Sequence, residues 1–153
     1  MTFKSNRKKF KKLTKEDIDR LLDVSAKKPK REKRHILKEK DMQILFHGFN
    51  ETFFGNRINR TVKVRLVSPA QLRKINKCHE ADAAWRPAVN EIWIDSTYGR
   101  SESIACLLLL HEMAHAALES TYVGHPTHNP GHGMIYQAEL FRLFMAGAYD
   151  GLL

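Results

Sequence analysis

The pentapeptide His111-Glu112-Met113-Ala114-His115 has the residue types and spacing of a metal-dependent hydrolase site. On a helix, residues four apart share one face, with Cβ atoms about 5–6 Å apart, so both imidazoles can reach one ion. Glu112 lies one position round the helix, where a carboxylate can take a proton from zinc-bound water instead of binding the metal. The pattern predicts a zinc site with His111 and His115 as ligands and Glu112 as general base.

The apolar neighbours of the pentapeptide favour a metal site over a chance match on an ordinary helix. Leu107–Leu110 precede it, and alanines at 114, 116 and 117 surround His115. Such a helix is buried, and burying histidines and a glutamate without partners is costly. A bound metal supplies the partner. Five of the eight histidines in the chain also fall between residues 111 and 132.

A third protein ligand must come from elsewhere, with a fourth position left open for water. The downstream candidates are His125, His128, His132 and Glu139. His132 stands in a Gly-His-Gly sequence, whereas Glu139 would match thermolysin-type enzymes, whose third ligand is a helical glutamate. The metzincin spacing is excluded because its third histidine would fall at Thr121.

The segments around the pentapeptide predict an α+β domain with a small three-stranded sheet. In chain order we expect a helix from Asp41 to a stop signal at Gly55-Asn56, a strand at 62–67, a short helix or turn from 68 to 76, strands at 83–86 and 91–95 joined by a turn, a helix at 103–120, a loop at 122–133 and a helix at 133–148.

Positive charge is concentrated at the N-terminus. Residues 1–40 hold 16 Lys/Arg against 6 Asp/Glu, whereas the rest of the 153-residue chain holds 10 against 11. We therefore predict a basic, partly disordered arm at 1–40 and a domain at 41–153. Such an arm favours a polyanion by counterion release, and DNA is the expected partner through its phosphates. The alternative is a solvated tail that only keeps the protein soluble.

The sequence predicts an intracellular protein without a membrane span. The longest apolar run, Ile104–Leu110, has seven residues, far fewer than the roughly 20 that cross a bilayer. Two cysteines cannot form a disulfide framework. The run KKPKREKR at 27–34 would suit a nuclear localisation signal in a eukaryote; a bacterial or phage protein would be cytoplasmic. We expect a monomer.

The motifs together resemble the SprT-like zinc metallopeptidases, the group that includes Spartan. The resemblance rests on HEMAH, on the later GHGMIY, on LFHGFNETFFGNRI at 45–58 as the family's first helix, and on NEIWIDSTY at 90–98 as the edge strand before its active-site helix. It covers about residues 41–144. The chain departs from the family in having two extra loop histidines and no cysteine after Cys106 for a C-terminal zinc ribbon.

This resemblance implies a small zincin-like domain that packs its sheet on the active-site helix. The implied zinc ligands are His111, His115 and His132, with Glu112 as the base and Tyr136 as the aromatic that follows the Gly-His-Gly motif. The implied function is a zinc-dependent endopeptidase acting on DNA-bound or DNA-crosslinked proteins, in DNA–protein crosslink repair.

Two alternatives remain open at the level of sequence. The first is a nucleic-acid-binding protein whose zinc site is structural or inactive, and the intact Glu112 argues against it. The second is a small thermolysin-like peptidase that uses Glu139 as its third ligand.

Overall fold

The computed structural model of the protein describes residues 36–75, 81–122 and 132–153. All of these residues belong to one unit, His35–Leu153. The predicted arm at 1–40 lies outside the described residues except for its last five positions, and the loop histidines His125 and His128 also lie outside them.

The described residues form an α+β fold with four helices and a three-stranded mixed sheet, which confirms the predicted α+β class and the three strands. Its elements are α1 (Glu39–Phe54), β1 (Lys63–Val67), α2 (Pro69–Ile75), β2 (Ala83–Arg86), β3 (Glu91–Asp95), α3 (Glu102–Tyr122) and α4 (Met134–Met145). Short 3-10 turns at Pro87–Val89 and Ser96–Arg100 follow β2 and β3. None of the described helices has the length and apolar character needed to cross a membrane.

The sheet has the order β1-β3-β2, which places β3 in its centre. β1 runs parallel to β3, whereas β2 pairs with it in antiparallel fashion, so Ile92 lies beside Val64 on one side and Trp85 on the other. The expectation that residues 90–98 form an edge strand is therefore wrong. The two edge strands are β1 and β2. β2 leads into β3 through a short turn and pairs with it on one side, whereas α2 connects β1 to β2, which leaves β1 on the other side of β3.

Helix α1 begins at Glu39, two residues before the predicted start at Asp41, and ends at the predicted stop signal. The backbone N–H of Lys38 donates to the Asp41 carboxylate at 2.9 Å, and Gly55 ends the helix in the left-handed region with φ 57°. Within the helix, the buried Asn50 side-chain amide donates to the carbonyl of Ile58, beyond the helix end, at 2.8 Å and accepts from the Ile58 N–H at 3.2 Å. These two bonds fix the turn that leads towards β1.

The described domain begins before Asp41. Leu37 is buried, and its N–H donates to the Gly99 carbonyl at 2.8 Å. A Cβ atom at position 99 would lie 2.9 Å from the Leu37 carbonyl oxygen, so only glycine allows this approach.

Helix α3 packs against the sheet and against α4; α3 carries His111, Glu112 and His115, and α4 carries Glu139. The buried face of α3 is built from leucine, methionine and alanine, which are strong helix formers: Ala105, Leu109, Leu110, Met113, Ala114 and Ala117. Helix α4 buries Tyr136, Glu139 and Leu143, one helical stripe. It ends at Met145, short of the predicted position 148, because the chain turns at Gly147 with φ 75°.

Candidate metal centre

Three histidines converge at the surface between α3 and the start of α4. His111 and His115 lie one turn apart on α3, with ring centroids separated by 5.1 Å. His132 stands two residues before α4, and its Nε2 lies 3.1 Å from Nε2 of His111. One nitrogen of each histidine lies within 4.8 Å of the others, so the cluster could hold a metal ion.

The spacing and protonation of the cluster suit a transition metal. Ligands about 2.0–2.1 Å from a tetrahedral ion are roughly 3.3 Å apart, close to the 3.1 Å separation of His111 and His132. Burial, reinforced by the neighbouring histidines, lowers the pKa of His115 to about 4 and also lowers that of His111. Both rings are therefore neutral near pH 7, with nitrogen lone pairs available. Imidazole donors suit zinc as well as copper, iron and nickel.

Glu112 lies beneath the cluster and is held by the edge of the sheet. Its side chain is buried, and one carboxylate oxygen accepts a 2.6 Å hydrogen bond from the backbone N–H of Trp85 in β2. The other oxygen lies 3.9 Å from Nε2 of His111. Burial raises the pKa of Glu112 to about 7, although the Trp85 hydrogen bond opposes that shift. Sequence reasoning missed Trp85, because a backbone donor leaves no signal in residue type.

Tyr136 packs against all three histidines from within the protein. Its ring stacks on His115 with centroids 4.3 Å apart and lies 4.8 Å from the His132 ring. Its hydroxyl is 2.8 Å from Nδ1 of His111. Burial raises the pKa of this hydroxyl above its ordinary value, so it stays neutral. The resemblance predicted an aromatic at Tyr136, but no sequence pattern indicated its contact with His111.

Glu139, the remaining candidate ligand within the described residues, is engaged elsewhere. Its buried carboxylate accepts hydrogen bonds from Arg57 at 2.7 Å and from Arg142 at 2.7 and 2.9 Å. Burial opposes its ionisation, but hydrogen bonds and charge from the two arginines outweigh that effect and lower the pKa of Glu139. The structure therefore brings His132, and not Glu139, to His111 and His115.

The cluster is open to solvent on one side. His132 is exposed and the His111 side chain is 38% exposed, whereas the Glu112 side chain beneath them is only 8% exposed. An ion at this position would be accessible to a substrate from outside, with the carboxylate shielded behind it.

Comparisons of the chain with protein-family models, with curated proteins and with solved structures found no match. The resemblance to SprT-like metallopeptidases therefore stays a prediction.

Proposed function

We propose that the protein is a zinc-dependent endopeptidase with a SprT-like, zincin-like active site. The observation that carries the proposal is the placement of a buried carboxylate beside a solvent-facing cluster of three histidines, 3.9 Å from the nearest ring nitrogen. In this proposal His111, His115 and His132 hold the zinc ion, and Glu112 is the general base.

A zinc ion held by these residues would supply a Lewis acid that polarises a peptide carbonyl and acidifies water. Glu112 would take the proton of the attacking water and later deliver it to the leaving amine. The Trp85 N–H occupies one carboxylate oxygen, which leaves the oxygen that faces His111 free to receive the proton. The protein thus holds the base in one orientation before a substrate arrives.

Two observations favour this function over the alternatives. Both oxygens of Glu139 are hydrogen-bonded to arginines, which disfavours a thermolysin-like ligand set. A structural zinc site does not need a buried carboxylate at its side, yet Glu112 is buried there despite the free-energy cost of desolvating a carboxylate.

The proposed substrates are proteins bound or crosslinked to DNA. This part of the proposal depends on the family resemblance and on the positive charge of residues 1–40, which contain 16 Lys/Arg and 6 Asp/Glu. Such an arm would hold the enzyme near phosphates without reading sequence, and its contribution would weaken as salt rises.

The test is cleavage of a purified DNA-binding protein by the zinc-loaded full-length chain, with and without DNA, beside Glu112→Gln. We expect DNA-stimulated cleavage that falls at least about 100-fold in the variant, because general-base catalysis contributes roughly 10²–10⁴-fold. Glu51→Gln makes the same chemical change at an exposed position of α1 and should cleave normally. Zinc binding without cleavage in any condition would favour a structural site instead.

A further inference from the structure

We propose that Tyr136 is a positioning residue for the metal centre. Its hydroxyl holds the His111 proton on Nδ1, so that Nε2 is presented to the ion, and its ring fixes the orientation of His115. The inference rests on the three-histidine metal centre of the proposed function, but not on peptidase activity.

The two nitrogens of His111 face different partners. Nδ1 lies 2.8 Å from the Tyr136 hydroxyl, whereas Nε2 lies 3.1 Å from Nε2 of His132, inside the cluster. A neutral imidazole carries one proton, and a metal on one nitrogen leaves that proton on the other. An ion in the cluster therefore requires the proton on Nδ1, where the Tyr136 oxygen is the hydrogen-bond acceptor.

The tyrosine hydroxyl has a place for its own proton in this arrangement. It makes a second, longer contact of 3.5 Å with the backbone carbonyl oxygen of His111, which can only accept. The hydroxyl can thus donate to the carbonyl while it accepts from Nδ1–H. Both contacts go to the same residue, so they restrain the rotation of the His111 ring as well as its tautomer.

Packing alone does not account for a tyrosine at this position. The residue is only 2% exposed, and phenylalanine would fill the same space without burying a hydroxyl that needs a partner. The ring accounts for the contacts with His115 and His132, stacked at 4.3 Å and tilted at 4.8 Å. The hydroxyl accounts for the contact with His111, and its loss can be tested separately from the ring.

The test is zinc affinity, measured by competition with a chromogenic chelator, for wild type, Tyr136→Phe and Tyr98→Phe. Partners that orient a ligand histidine typically change metal affinity by about 10–100-fold, and we expect a loss in that range for Tyr136→Phe. Tyr98→Phe removes a hydroxyl that lies near Asp82 and outside the three-histidine cluster, so its affinity should equal that of wild type. Equal affinity for Tyr136→Phe and wild type would overturn the inference.

A second measurement does not depend on how the variant folds. In the zinc-free wild type, two-bond 1H–15N correlations of the histidine rings report which nitrogen of His111 carries the proton before any metal binds. We expect the proton on Nδ1, with slowed exchange because Tyr136 accepts it. A zinc-free His111 protonated on Nε2 would refute the inference.

These outcomes are distinguishable from failure of the proposed function. Wild type that binds no zinc would overturn both proposals together. Wild type that binds zinc without cleaving protein would overturn only the peptidase, and the affinity of Tyr136→Phe would still decide the role of Tyr136.

Discussion

Replacing Glu139 by glutamine separates two roles that the sequence allows for this residue. If Glu139 only anchors α4, then Glu139→Gln should destabilise the protein and leave zinc affinity unchanged. If it were the third ligand, zinc affinity would fall by orders of magnitude. The three hydrogen bonds of its carboxylate to Arg57 and Arg142 favour the first role.

The expected loss of stability follows from the exposure of the partners. Hydrogen bonds to charged groups contribute about 1.5–3 kcal/mol each when buried, and breaking a buried ion pair costs roughly 3–5 kcal/mol. The Arg57 and Arg142 side chains are 40% and 41% exposed, however, so water can solvate them again. Glutamine also keeps one carbonyl oxygen as an acceptor. We therefore expect the free energy of unfolding to fall by about 2 kcal/mol, after allowing for solvent screening.

The assay pairs urea unfolding with chelator competition on the same preparations. Glu51→Gln at an exposed position of α1 is the matched control and should change stability by less than about 0.5 kcal/mol. His132→Ala should show the opposite pattern, with zinc affinity lost and metal-free stability little changed, because His132 is exposed. Zinc binding lost in Glu139→Gln and retained in His132→Ala would refute the ligand assignment.

Three further predictions concern stability. Asn50→Ala should lower the free energy of unfolding by about 2–4 kcal/mol in urea, because it leaves the N–H and carbonyl of Ile58 without their partner; an unchanged midpoint would contradict this. The folded-state pKa of Glu139 is lowered, so its stabilisation is present above the unfolded-state pKa of about 4.3 and is lost as pH falls through the folded-state pKa. The difference in unfolding free energy between wild type and Glu139→Gln should therefore shrink below about pH 4. A difference that widens on acidification would be inconsistent with the pairing. Zinc at 100 times its dissociation constant should raise the free energy of unfolding of wild type by about 2.7 kcal/mol, seen as a higher melting temperature, and a similar rise in His132→Ala would count against the cluster.

Local elements of this fold could be predicted because their signals are local. The end of α1 follows from Gly55, which adopts φ 57° at low cost, and the pairing of β2 with β3 follows from the short turn between them. The shared face of His111 and His115 follows from helical spacing alone. The α+β class then follows from the order of the elements.

Contacts between distant segments could not be predicted in the same way. The central position of β3 depends on its parallel pairing with β1, which forms across the intervening α2 and β2. The Arg57–Glu139 pair joins residues 82 positions apart, and the Trp85 hydrogen bond to Glu112 spans 27. Neither leaves a periodic pattern in the sequence. The gathering of His132 with the α3 histidines likewise depends on how α4 packs against α3.

The proposed mechanism depends on one ion held by three particular histidines. Anomalous X-ray diffraction from zinc-loaded crystals, recorded on both sides of the zinc absorption edge, locates that ion directly. We predict one anomalous peak per chain, about 2.0–2.1 Å from a ring nitrogen of His111, His115 and His132, with the Glu112 carboxylate beside it. A peak bound by Glu139 or by other histidines, or no peak within the cluster, would contradict this prediction.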